Sequence, residues 1–151
     1  LNEAFTVENL KLQRAEKPYT IVHLATHAQF ERGALSNSYI QFWDRKLYLD
    51  QIEQFNWNNP PVELLVLSAC RTAIGDEQVE LGFGGLAVQA GVNSALASLW
   101  YVSDEGTLGL MTEFYEQLKT APTRAEALRR AQLAMVAAEV RLEGGLLYGL
   151  T

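Results

Sequence analysis

Apolar residues along the chain fall into short runs separated by polar turns, and the period of the runs changes along the sequence. Tyr19-Thr20-Ile21-Val22-His23-Leu24-Ala25-Thr26 follows Pro18, is rich in β-branched residues and is too short for an ordinary helix, so it reads as a buried strand. Tyr39-Ile40-Gln41-Phe42-Trp43 and Lys46-Leu47-Tyr48-Leu49 flank the polar pair Asp44-Arg45 and read as a hairpin. Asp50 is placed to cap a short helix through Phe55. Residues 56–61 hold three Asn and two Pro, which is loop chemistry, and they lead into a second apolar strand at 62–69 followed by a loop at 71–78.

Beyond that loop the spacing becomes helical. Residues 79–90 carry apolar side chains at helical intervals, with Gly91 where a left-handed C-terminal cap belongs. Gly82, Gly84 and Gly85 lower helix propensity there, so the helix either packs against another backbone or begins late. A third buried strand is expected at 95–100. Ser103 then caps a helix with Asp104 and Glu105 in its first turn and Leu108, Leu110, Met111, Phe114 and Leu118 on its apolar face. Thr123-Arg124-Ala125-Glu126 is a capping box opening a last helix to about Val140. Strands alternating with helices predict an α/β fold, a mostly parallel sheet covered by helices on both faces, in which ligands collect at the carboxyl ends of strands.

Composition narrows the function. With 151 residues, 48% hydrophobic and 20% charged, the chain reads as one globular domain, residues 1–151. A net charge of −6 without charge blocks argues against nucleic acid or an anionic membrane as partner, while a basic peptide is compatible. No run approaches the roughly 20 apolar residues of a membrane span, and no signal peptide is evident. The single cysteine cannot form an internal disulfide, so the expected location is the cytoplasm. The chain begins at Leu1 and ends within an apolar stretch, which reads as a piece of something larger.

That cysteine, Cys70, and His27 each stand just past a predicted strand, at ends where a nucleophile and its base would sit. A thiol near its free pKa of about 8.5 needs an imidazole or a dipole beside it to attack efficiently. The bland alternative is a small buried hydrophobe. His23 and His27 would share one face of a helix as zinc ligands, but on a strand they lie roughly 13 Å apart, so no metal is expected and His23 reads as a hydrogen-bonded core histidine. Ser68 lies inside a strand without a Gly-x-Ser-x-Gly turn and is set aside as a nucleophile. Gly82-Phe83-Gly84-Gly85 lacks the spacing and the Lys of a phosphate loop.

Five ordered stretches carry a family resemblance. They are His23-Leu24-Ala25-Thr26-His27-Ala28; Leu67-Ser68-Ala69-Cys70-Arg71-Thr72-Ala73; Gly82-Phe83-Gly84-Gly85-Leu86-Ala87 with Ala90-Gly91-Val92; Ser98-Leu99-Trp100-Tyr101-Val102-Ser103-Asp104; and Glu126-Ala127-Leu128-Arg129-Arg130-Ala131-Gln132. Over residues 18 to 136 the chain resembles CHAT domains, caspase-like cysteine peptidases commonly fused to tetratricopeptide repeats. The resemblance implies a caspase-haemoglobinase type sheet, Cys70 as nucleophile and His27 as general base or acid. It also implies an oxyanion hole from the backbone amides of Cys70 and Ala28, no cofactor, and a regulatory repeat module fused or bound. Caspases carry Gly where this chain has Ala28. Trp100-Tyr101-Val102-Ser103-Asp104 is similar to a separase stretch whose last Asp holds a basic side chain, which makes Asp104 the candidate S1 acid, with Asp76 and Glu77 as second choices; the plain alternative for Asp104 is helix-start chemistry. Set beside CHAT domains, the chain is expected to lack an upstream half and a closing strand. A non-catalytic interaction domain on the same fold, and a small-molecule amidase, are the competing readings.

Overall fold

The structure is a computed structural model that describes residues 3–31, 36–68, 82–98, 103–137, 141–142 and 145–146. These belong to two compact units, Leu1–Tyr101 and Val102–Thr151.

The first unit opens with α1 (Val7–Glu16), an element the apolar spacing does not announce because only Val7 and Arg14 are buried on it. Its N-cap, Thr6, accepts a hydrogen bond from the Asn9 amide. Arg14 is 4% exposed and donates to the carbonyls of Phe55, Asn56 and Pro60 while its guanidinium lies 4.6 Å from the Trp57 ring. The helix is therefore anchored by a buried cation that caps loop carbonyls, a contact no hydrophobic periodicity encodes.

Strand β1 (Ile21–Ala25) alternates, with Val22 and Leu24 buried and Ile21, His23 and Ala25 exposed. The strand read as buried is thus buried on one face only. Short strand β2 (Ala28–Gln29) leaves the first sheet and pairs antiparallel with β3 (Tyr39–Gln41), which pairs with β4 (Lys46–Tyr48). The β3–β4 turn is wider than the predicted pair of residues, spanning 42–45 and closed by the Phe42 amide on the Arg45 carbonyl at 2.9 Å. Leu49–Phe55 forms a 3-10 helix flanked by Tyr48, with no side-chain cap, so Asp50 sits inside its first turn and not at the cap. Leu49, Ile52 and Phe55 recur at intervals of three and are all buried, matching the eclipsed faces of a 3-10 helix.

Strand β5 (Leu64–Ser68) buries Leu64, Leu65, Val66 and Leu67, as an apolar run at the centre of a parallel sheet must. The sheet order is β1-β5-β6, with β6 at Ala95–Ala97, and both pairings are parallel. Between β5 and β6, α2 is described over Gly82–Gln89; residues 79–81 of the expected helix lie outside the described residues. A Cβ built on Gly84 meets nothing within 4 Å, so close backbone packing is not the reason for glycine there. Gly91 has φ 103° and forms the predicted cap, with its amide on the Val88 carbonyl and the Val92 amide on the Ala87 carbonyl, both at 3.0 Å. Val22 and Leu24 of β1, Leu65 and Leu67 of β5, Phe83 and Ala87 of α2, Ile52 and Phe55 of the 3-10 helix and Val7 of α1 share one hydrophobic cluster. This is a parallel α/β sheet with helices, as the alternation of periods predicts.

In the second unit, α3 (Asp104–Leu118) packs on α4 (Arg124–Val136). Ser103 and Thr123 cap them as predicted, accepting from the amides of Gly106 and Glu126. Phe114 is buried on α3, whereas Leu108 is 57% exposed and Gly109 takes the inward position. Hydrogen bonds from Arg129 and then Arg130 hold the Glu126 carboxyl down to about 2. A short antiparallel pair, β7 (Arg141–Leu142) and β8 (Gly145–Leu146), follows where the sequence predicts no strand.

Candidate functional site

The parallel register of β1 and β5 sets the site. Ile21 pairs with Leu64 and each following residue with the next, ending at Ala25 with Ser68. The ladder runs one bond further, the Thr26 amide donating to the Ser68 carbonyl at 3.2 Å. His27 follows at once, at the carboxyl end of the sheet, and its side chain is exposed. Cys70, Asp76 and Glu77 lie outside the described residues.

Beyond β1 the backbone around His27 is clasped by the hairpin. The Gln41 amide donates to the His27 carbonyl at 2.8 Å, and the Thr26 hydroxyl donates to the Gln41 carbonyl at 2.6 Å. Because the ladder bond joins Gln41 to His27, Ala28 and Ile40 are opposed as a non-hydrogen-bonded pair. In such a pair the amides point away from the partner strand, so the Ala28 N–H is directed away from β3 while its methyl group is buried.

A cavity of about 480 Å³ opens beside His27, lined by Phe5, Ala25, Thr26, His27, Gln41, Phe42 and Trp43. Phe5 stacks on Phe42 with ring centres 4.6 Å apart and planes at 8°. The Trp43 amide donates to the Phe5 carbonyl at 2.9 Å, and the Trp43 side chain is 59% exposed. The sequence assigns residues 39–43 to a hairpin but does not bring them to His27. The missing link is β2, two residues whose pairing has almost no local signal.

His23 and Ser68, weighed separately in the sequence, belong together. His23 Nε2 is 2.7 Å from Ser68 Oγ, tying β1 to β5 near their carboxyl ends. His23 is hydrogen-bonded as expected but lies on the exposed face and not in the core. Partial desolvation of its ring lowers its pKa, which favours the neutral imidazole. Asp104 is the first residue of α3, exposed in the second unit, immediately after its cap Ser103. Among the described residues no three His, Asp or Glu side chains gather as a metal ion would require, and no helix is long and apolar enough to cross a membrane.

A family model described as the CHAT domain matches residues 1–142. No curated protein matches the chain.

Proposed function

Since this chain belongs to the CHAT domain family, whose members include caspase-like peptidases, we propose that it hydrolyses peptide bonds in a protein substrate through a Cys70–His27 dyad. The observation that carries this reading is the β1–β5 register. His27 and Cys70 each stand two residues in sequence past the last matched pair, Ala25 and Ser68, on neighbouring parallel strands. In sequence both residues follow closely on the carboxyl ends of neighbouring strands, where α/β folds assemble their sites, and this supports the pairing of the two.

In this mechanism the Cys70 thiol gives its proton to His27, and the thiolate attacks the peptide carbonyl carbon. The oxyanion is held by the Cys70 and Ala28 amides, the second supported by the outward direction of the Ala28 N–H. Collapse breaks the C–N bond, the amine takes the proton from His27, and water, deprotonated by His27, hydrolyses the thioester. Asp104, or Asp76 or Glu77, is assigned to a basic residue on the acyl side. A repeat module, fused or bound, is assigned control of access, and the cytoplasm is the assigned compartment, which keeps a lone thiol reduced.

The test is labelling of Cys70 by an electrophilic peptide probe. Cys70→Ala should abolish labelling, and His27→Ala should slow it by about 100-fold or more, in keeping with the contribution of a general base. Labelling equal in wild type and His27→Ala overturns the dyad, and no labelling at all favours the interaction-domain reading.

A further inference from the structure

We infer that the aromatic cavity beside His27 is a subsite for an apolar side chain on the leaving-group side of the scissile bond, with an aromatic residue its best occupant. The inference rests on the proposed peptidase reading and adds a specificity to it. When the C–N bond breaks, its electron pair goes to nitrogen and the proton comes from His27, so the leaving amine must lie against the imidazole. The side chain next to that nitrogen therefore falls beside His27. Among the described residues, the cavity that His27 lines is walled by the hairpin and the N-terminal segment, with no β5 or β6 residue in its lining.

Its chemistry selects the occupant. Apart from His27 the lining holds no ionisable side chain, so a charged group would be desolvated there without a partner. The half-buried Phe5 ring, backed by the buried Phe42 ring stacked on it, and the exposed Trp43 side chain present aromatic surface, to which a second ring packs edge-on or offset. The volume of about 480 Å³ lies in the range of roughly 300–1,000 Å³ typical of ligand pockets. The backbone of the walls is held in place: the Gln41 carbonyl accepts from the Thr26 hydroxyl at 2.6 Å, the Gln41 amide donates to the His27 carbonyl at 2.8 Å, and the Trp43 amide donates to the Phe5 carbonyl at 2.9 Å. A preformed pocket binds without the cost of ordering its walls.

Two measurements on the 151-residue chain test this. In the first, N-acetyl-phenylalaninamide is titrated while the His27 ring resonances are followed, assigned against His23 with a His23→Gln variant. N-acetyl-phenylalaninamide should shift them and N-acetyl-glycinamide should not, and Trp43→Ala should remove the shift. In the second, Cys70 is acylated with p-nitrophenyl acetate and the acetyl-enzyme is partitioned between water and free phenylalaninamide or glycinamide. The aromatic acceptor should win by about tenfold or more. Trp43→Ala should erase that preference. A normal burst with no shift and no preference overturns the subsite and leaves the peptidase reading standing. A shift without any Cys70-dependent burst overturns the peptidase reading and, with it, the leaving-group role of the cavity.

Discussion

His23 sits on the exposed face of β1 with its Nε2 against the Ser68 hydroxyl, and the desolvation of its ring depresses its pKa. The folded protein therefore takes up this proton less readily than the unfolded chain. That difference makes a contribution to stability that is full above the ordinary value of 6.5 and is lost as the pH falls through it toward the folded value. His23→Gln should keep a hydrogen-bonding side chain but remove the titration. Its urea midpoint is expected to fall less between pH 8 and pH 5 than that of the wild type, and parallel profiles would refute the argument. That His23 is hydrogen-bonded and that His27 stands just past a strand were legible from the residues themselves. What local sequence could not supply was that His23 pairs with Ser68, because that contact depends on which strands are neighbours.

At the scale of elements, the caps were the most legible features, because a capping side chain bonds an amide only a few residues away. Ser103, Thr123 and Gly91 all act as their sequence contexts predict. The two glycines of the α2 region separate conformational need from mere presence. Gly91 has φ 103°, and a Cβ there would lie 3.1 Å from Asn58 Cβ, so Gly91→Ala should destabilise by about 1 kcal/mol or more. Gly84 has helical backbone and open space, so Gly84→Ala should stabilise by about 0.5–1 kcal/mol. Thermal or chemical denaturation of the two variants decides the point, and equal effects would sink it. Boundaries were less legible. β1 is shorter than its apolar run because the chain leaves the sheet after Thr26 to pair with β3. The segment at Leu49–Phe55 winds as a 3-10 helix because its three apolar residues repeat every third position.

At the scale of the molecule, β5 carries the stability of the sheet and the geometry of the candidate site together. Leu65 is fully buried between β1 and β6, and Leu65→Ala should cost about 2–5 kcal/mol in a denaturant titration, whereas a loss below about 1 kcal/mol would mean the strand is not central to the core. The alternation of strand and helix, the apolar character of β5, the helix caps and the family are all written in residues near one another or in ordered motifs. The matched ends of β1 and β5, the clasp of Gln41 on His27, the direction of the Ala28 amide and the aromatic cavity emerge only in the folded chain. The physical reason is that strand register and cross-sheet contacts are fixed by packing between segments far apart in the chain. Periodicity reports how each segment meets a core but not which segment lies opposite.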